Sequence, residues 1–295
     1  MHNDQLHVDM ATARRLIEDQ FPQWQDAPIR AVVTDATVNS IFRIGSRLTA
    51  RFPLRADDTG ASRPMLEAEA AANRELGLYS SVPTPSPVGI GAPGHGYPLH
   101  WSVQTWLPGQ VATPDCSADS PAFALDLASF IDGLRRADTK GRTFCGGGRG
   151  GRLTDQDEWM ETCLRASDGP VDVRGLRRLW AELRELPPGG ADVMSHRDLT
   201  PPNVLVGSGR LVGVLDGGGF GPADPALDLV AAWHLLDTDR RLIFREALGS
   251  DDLEWQRGKA WAFAQAMGLP WYYRDSNPGM SRLGTSTLTR LLDET

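Results

Sequence analysis

Apolar residues recur with a period near 3.6 in MATARRLIEDQF (10–21), where Met10, Ala13, Leu16, Ile17 and Phe21 fall on one side. This predicts a short amphipathic helix, ended by Pro22. The pattern then changes. Ile29–Val33 reads as a strand and Asp35–Asn39 as a polar turn; Ile41–Ile44 and Leu48–Phe52 read as two strands split by Gly45–Ser46, a hairpin signal. Residues 64–78 open on a proline, carry alanines inside and close near a glycine, which suits a helix. The stretch 82–97 is dense in Pro and Gly and reads as loop and turns, whereas 100–107 reads as a strand ended by Pro108–Gly109. Helical spacing then dominates, over 121–136, 155–166, 172–186, 225–237, 239–248, 252–268 and 284–293. GGGRGG (146–151) reads as a flexible loop, and 193–216 as short strands around a turn.

The expected architecture is α+β. A small β-rich N-terminal lobe (1–105) precedes a larger, mainly helical C-terminal lobe (106–295), with a hinge near Gln104–Gly109. The length of 295 residues is sufficient for two such lobes, and a cleft between lobes is a favoured ligand site. With 41% hydrophobic and 23% charged residues, the composition excludes disordered, collagenous and disulfide-scaffold classes. A net charge of −8 fits poorly with a nucleic-acid or anionic membrane partner and is compatible with a cationic small molecule. Cys116, Cys145 and Cys163 show no CxxC spacing, so neither disulfide staples nor a cysteine zinc site is expected. No basic head precedes an apolar stretch at the N-terminus, and no run reaches the roughly 18–20 apolar residues of a membrane helix. A soluble, cytoplasmic protein is expected. Lys140 and Lys259 are the only lysines, so a cation required in the first third must be an arginine.

The chemistry concentrates in SHRDLTPPNVLV (195–206) and LVGVLDGG (211–218), joined by the tight turn GSGR. The two apolar strands can bring Asp198, Asn203 and Asp216 to one place. Phosphoryl transfer needs that set: a carboxylate to orient an incoming hydroxyl and accept its proton, a role for Asp198, and hard oxygen donors for Mg²⁺, roles for Asn203 and Asp216.

H-x-D-x-x-x-x-N followed by D-x-G resembles the protein-kinase-like fold, and more closely the aminoglycoside phosphotransferase family with its macrolide kinase relatives. FGPADPALDL (220–229) resembles that family's segment after the metal aspartate, and Asp224 follows Gly218 too soon for a protein kinase's activation segment. The resemblance implies a two-lobe kinase fold, ATP or GTP as donor, Mg²⁺, Asp198 as catalytic aspartate, and Asn203 and Asp216 as metal ligands. It also implies structural support from His196, Asp224 and Asp228. It places the phosphate-binding cation of the third strand at Arg51 and its glutamate partner at Glu69, with Glu67 and Glu75 as competitors. The phosphate loop falls at 34–42, which lacks glycine, so Asn39 and Ser40 become its donors. The hinge falls at 102–109, where backbone groups of Gln104 to Trp106 would meet the purine and the Trp106 ring is either an adenine wall or core.

Acceptor recognition is sought in acids and aromatics of the helical lobe: Asp155, Asp157, Glu158, Trp159 and Glu161, and Trp271, Tyr272 and Tyr273. Acids would attract a polyamine sugar and aromatic faces would stack on rings or cations. The same residues also read as an acidic helix start and as core. The implied function is a Mg²⁺-dependent kinase of a small-molecule hydroxyl, an aminoglycoside or related antibiotic foremost. A metabolic amino-alcohol or sugar kinase and a nucleotide-binding pseudokinase module are the alternatives.

Overall fold

The computed structural model describes residues 6–32, 39–55, 61–146, 148–167 and 171–294. It divides into two compact units, Met1–Leu78 with Thr84–Pro108, and Tyr79–Pro83 with Gly109–Thr295.

The first unit is a five-stranded antiparallel sheet with two helices. Its elements are α1 (Met10–Gln20), β1 (Ile29–Val32), β2 (Asn39–Ile44), β3 (Leu48–Pro53), α2 (Ser62–Tyr79, whose last residue passes to the second unit), β4 (Pro87–Gly91) and β5 (Trp101–Thr105). The strand order is β1-β2-β3-β5-β4. Strand alternation sorts the residues of β3 and β5 to two faces. Ala50, Phe52, Trp101 and Val103 join Ala13, Leu16 and Ile17 of α1 in a closed apolar core, in which Phe52 stacks on Trp101 at 4.7 Å. Arg51, paired with Ser102 in the ladder, belongs to the opposite face.

Two expectations change here. Asn39 is not in a turn: it opens β2 and pairs with Pro53, and Ser40 pairs with Phe52. The Pro/Gly-rich stretch 82–97 is not all loop, since β4 runs through it. β4 is an edge strand, where Pro87 at the first position needs no ladder donor. Its Gly91 makes room for the Trp101 ring, atoms of which would lie 2.1 Å from any Cβ at that position.

The second unit contains β6 (Gln110–Val111), α3 (Pro121–Arg135), α4 (Asp157–Ala166), α5 (Val173–Leu183), β7 (Val193–Ser195), β8 (Val204–Gly207), β9 (Arg210–Val214), β10 (Gly221–Ala223), α6 (Val230–Leu235), α7 (Thr238–Leu248), α8 (Asp252–Ala266), α9 (Leu269–Tyr272) and α10 (Pro278–Leu292). β7 pairs with β10, and β8 is flanked by β6 and β9. α8 is its axis. It is buried on all sides from Gly258 to Ala266, as a helix without a polar face must be, and Phe263 stacks on Trp180 of α5. The helix expected at 225–237 is a 3₁₀ turn, Leu227–Leu229, followed by the short α6. The last helix begins earlier than 284 because Asn277 caps it, accepting from the Met280 amide at 3.1 Å, with Pro278 at its first position.

Gly133 of α3 faces the carbonyl oxygen of Tyr79, 2.5 Å from where a Cβ would stand. Backbone cannot yield as a flexible side chain can. Gly133→Ala is therefore expected to destabilise this unit by about 1–3 kcal/mol, read as a lower urea midpoint at unchanged slope.

Candidate active site

β7 ends at Ser195, and the chain turns through His196, Arg197 and Asp198. Arg197 takes a left-handed backbone, φ 70°, which costs a non-glycine residue roughly 1–3 kcal/mol. The buried carboxylate of Asp228 holds it there: Oδ2 accepts from the His196 amide at 2.9 Å and Oδ1 from the Arg197 amide at 3.1 Å. The His196 ring is fully buried, with Nε2 2.9 Å from the Leu215 carbonyl oxygen. A carbonyl only accepts, so Nε2 carries the proton; Nδ1 is buried without a partner. Leu215 in turn donates its N–H to the Asn203 carbonyl at 2.7 Å, and the next residue, Asp216, is exposed and also left-handed, φ 59°. Asn203 Nδ2 donates to both the carbonyl (2.9 Å) and Oδ2 (2.8 Å) of Asp198. These four hydrogen bonds tie the segments bearing Asp198, Asn203 and Asp216 together.

Two further side chains meet Asp198, and the sequence reading missed both. Arg149 Nη2 donates to Oδ1 at 3.1 Å, and Gln265 Nε2 to the same oxygen at 2.8 Å. Arg149 belongs to the glycine run that reads as flexible. Its described residues are anchored instead: Gln156 Nε2 donates to the Gly148 carbonyl at 2.9 Å and the Asp224 amide to the Gly150 carbonyl at 2.8 Å. A single cation inside a glycine run was the available signal. For Gln265 it was one amide side chain in the otherwise apolar run AWAFAQAM. Asp224 is buried, accepting from Arg257 and from Trp261 Nε1 at 2.9 Å.

In the first unit, Arg51, Glu69, Asn73, Ser102 and Gln104 line one cavity of about 200 Å³ between α2 and the sheet. Glu67 pairs with Arg63 on the exposed side of α2, and neither Glu67 nor Glu75 lines the cavity. Asn39 and Ser40 lie at the start of β2, and residues 34–38 of the expected phosphate loop are outside the described residues. The hinge reading needs revision. The Thr105 and Trp106 amides already donate to the carbonyls of Ser86 (3.0 Å) and Arg47 (2.7 Å), so neither is open to a purine. Trp106 instead offers its ring face to the Arg43 guanidinium at 4.7 Å.

The residues sought for the acceptor divide. Asp157 accepts from Arg184 on both oxygens and from Trp180 Nε1. The Arg184 hydrogen bonds hold its carboxyl below the usual range, against the opposing effect of burial. Glu161 is likewise held low by Arg177. Both are consumed within the protein, because α5 presents arginines to α4. Asp155 and Glu158 are exposed. Trp159 and Trp271 lie 6.0 Å apart, Tyr272 meets Trp271 edge-on and Tyr273 in turn, and Trp159 and Tyr272 are exposed. This aromatic group follows directly on the end of α8 that carries Gln265.

Residues 30–263 match the family described as APH, phosphotransferase enzyme family. The chain belongs to that family. No curated protein matches it. Among solved structures it is similar to the GDP complex of aminoglycoside 2'-phosphotransferase-IIIa (17% identity, 97% of this chain and 99% of that one, TM-score 0.72). It is also similar to macrolide 2'-phosphotransferase MphH from Brachybacterium faecium (16%, 95% and 97%, 0.61) and to the gentamicin complex of APH(2")-IIa (15%, 97% and 97%, 0.60). These likenesses establish the α+β kinase-like fold. The protein is a small-molecule phosphotransferase. Among the described residues no helix is long and apolar enough to cross a membrane.

The Asp157 pairing predicts a pH dependence. A carboxylate whose folded pKa is depressed adds stability that is present above its unfolded pKa, about 3.9, and is lost as pH falls through the folded value. In urea titrations, Asp157→Asn should be less stable than wild type at pH 7, with the gap closing below about pH 4.

Proposed function

We propose that this chain transfers the γ-phosphoryl group of ATP or GTP to a hydroxyl of a small molecule, with Asp198 as the group that orients the hydroxyl and takes its proton. The observation that carries the reading is the state of the Asp198 carboxylate. Its side chain is 46% exposed, yet it is held on Oδ1 by Arg149 and Gln265 and on Oδ2 by Asn203. A base fixed in one orientation and open on one side is what transfer to a bound hydroxyl needs.

The donor set fits Mg²⁺. Asp198 oxygens only accept, so Asn203 presents its Nδ2 to them and turns Oδ1 away; that oxygen and the exposed carboxylate of Asp216, on the segment bonded to the Asn203 carbonyl, are hard donors that would suit the metal. Bound there, Mg²⁺ would neutralise phosphate charge. Arg51 would meet the α- and β-phosphates, with Glu69, which shares its cavity, pinning the guanidinium. His196, Asp224 and Asp228 would support the site from behind. Asn39 and Ser40 would supply donors to the phosphates from β2, and the base would meet Gln104 or carbonyls of the hinge rather than the Trp106 amide.

Aminoglycosides are the first acceptor class, drawn by exposed acids such as Glu158 and by the aromatic faces of Trp271 and Tyr272. One observation favours macrolides as a second class. Asp157 and Glu161 are neutralised by arginines, while Trp159 and Tyr272 stay exposed, which suits an apolar ring better than a polycation.

A mass-shift screen with Mg–ATP and Mg–GTP over aminoglycosides, macrolides and amino alcohols should find one class gaining a phosphate. Mg²⁺-dependent nucleotide binding with no product in any class would favour a pseudokinase module. Asp198→Ala should lower kcat by about 10²–10⁴-fold and leave nucleotide affinity within about twofold of wild type; near-wild-type turnover would reject the assignment. Asp216→Ala should weaken the Mg²⁺ dependence of nucleotide binding, measured by calorimetry. Unchanged dependence would remove Asp216 from the metal site.

A further inference from the structure

Behind Asp198 runs a line of buried polar side chains. Gln265 Oε1 lies 3.2 Å from His234 Nε2, and His234 Nδ1 lies 2.8 Å from Thr287 Oγ1. The three come from α8, α6 and α10. His234 and Thr287 are fully buried and Gln265 is 8% exposed.

The direction of every bond in the line follows from its accepting end. The Asp198 carboxylate only accepts, so Gln265 faces it with Nε2 and faces His234 with Oε1. Oε1 only accepts, so His234 carries its proton on Nε2. Nδ1 is then an acceptor, filled by the Thr287 hydroxyl. Every group in the line is satisfied by a neutral ring. Burial pushes His234 down to about 4, with the charges of Arg149 and Arg290 acting the same way and the Gln265 bond opposing.

Three buried polar groups carry a desolvation cost that an apolar trio would not. The line ends on the half-exposed Asp198. There Oδ1 takes hydrogen bonds from both Arg149 and Gln265, and Oδ2 takes one from Asn203, so the open lone pair is on Oδ2.

We propose that Gln265, itself oriented by His234 and Thr287, is a positioning residue that pins Oδ1 of Asp198 so that Oδ2 faces the acceptor hydroxyl. Oδ2 takes the hydroxyl proton as the oxygen–phosphorus bond forms. The bond from the γ-phosphorus to the bridging oxygen breaks, and that oxygen leaves on the nucleoside diphosphate. The proposal rests on the phosphotransferase reading of Asp198, and its test separates the two.

The first measurement needs no substrate. In ¹⁵N spectra of the histidines of the full chain, with His234 assigned by its loss in His234→Gln, the ring should be the Nε2–H tautomer at pH 7. An Nδ1–H tautomer or an imidazolium overturns the proposal, whichever acceptor is found. The second uses the panel compound with the highest turnover. Gln265→Leu should lower kcat by about 10- to 100-fold, with acceptor KM and the Kd of Mg–ATP or Mg–GTP within about twofold. Thr287→Val should lower kcat by a smaller factor, and Thr287→Ser should restore it. If Gln265→Leu keeps wild-type kcat while Asp198→Ala loses it, the positioning role fails and the kinase reading stands. If Asp198→Ala also keeps its activity, Asp198 is not the base, and the positioning role falls with that assignment while the transferase activity itself stands. Should Gln265→Leu not fold, equal kcat in Thr287→Val and Thr287→Ser overturns the proposal. Should no panel compound be phosphorylated while nucleotide still binds, the kinase reading and the positioning role fall together, whichever tautomer is found.

Discussion

The geometry of the candidate site depends on one buried carboxylate that is spent on the backbone. Asp228 accepts from two successive amides and holds Arg197 in a backbone conformation that its side chain disfavours. With the turn bent in this way His196 meets the Leu215 carbonyl, which adds a side-chain tie to the β8–β9 ladder and the Leu215–Asn203 backbone bond that already join the two motif segments. The energetic logic is that of a strained residue over-determined by its surroundings. Two fixed acceptor positions on a rigid, desolvated carboxylate offset a backbone cost that a solvated turn would relax. Asp216 repeats the theme with a left-handed residue of its own, of a type that tolerates that region better than most.

The same principle extends outward from the turn. Gly148 and Gly150 are tied down on either side of Arg149, so a segment of maximal backbone freedom delivers a cation to a defined oxygen. Asp224 anchors this segment and, through Arg257 and Trp261, fastens it to the middle of α8. The end of α8 carries Gln265. One helix therefore receives the loop that brings Arg149 and itself supplies the other donor to Asp198.

Most of the architecture was legible as periodicity. Strands, helices and the motif turns follow local patterns, and β4 escaped because its permission is tertiary: an edge position and a neighbouring Trp101 ring decide that Pro and Gly can extend there. The Asp198, Asn203 and Asp216 set was legible because spacing in two adjacent strands nearly determines proximity. Arg149 and Gln265 were not: each stands out locally, a cation among glycines and an amide among apolar residues, but their partner lies far away in sequence and the local pattern does not name it. The two readings of Asp157 and Glu161, acceptor contact or acidic helix start, could not be separated for the same reason. Their charge is visible in the chain, but the arginines of the neighbouring helix that occupy them are visible only in the fold. On α2, the sequence reading put Glu69 ahead of Glu67 and Glu75, and of the three Glu69 is the one that lines the cavity with Arg51.

The burial of α8 on every side from Gly258 to Ala266 has a consequence for how this protein can vary. A helix that is both buried strut and mount for the Gln265 amide on Asp198 leaves no boundary between interior repacking and the placement of that carboxylate. On the role proposed for Asp198, a methyl group gained or lost along Ala260–Ala266 would shift the amide that holds its carboxylate, so drift in the hydrophobic interior would be open to selection through reaction rate as well as through unfolding.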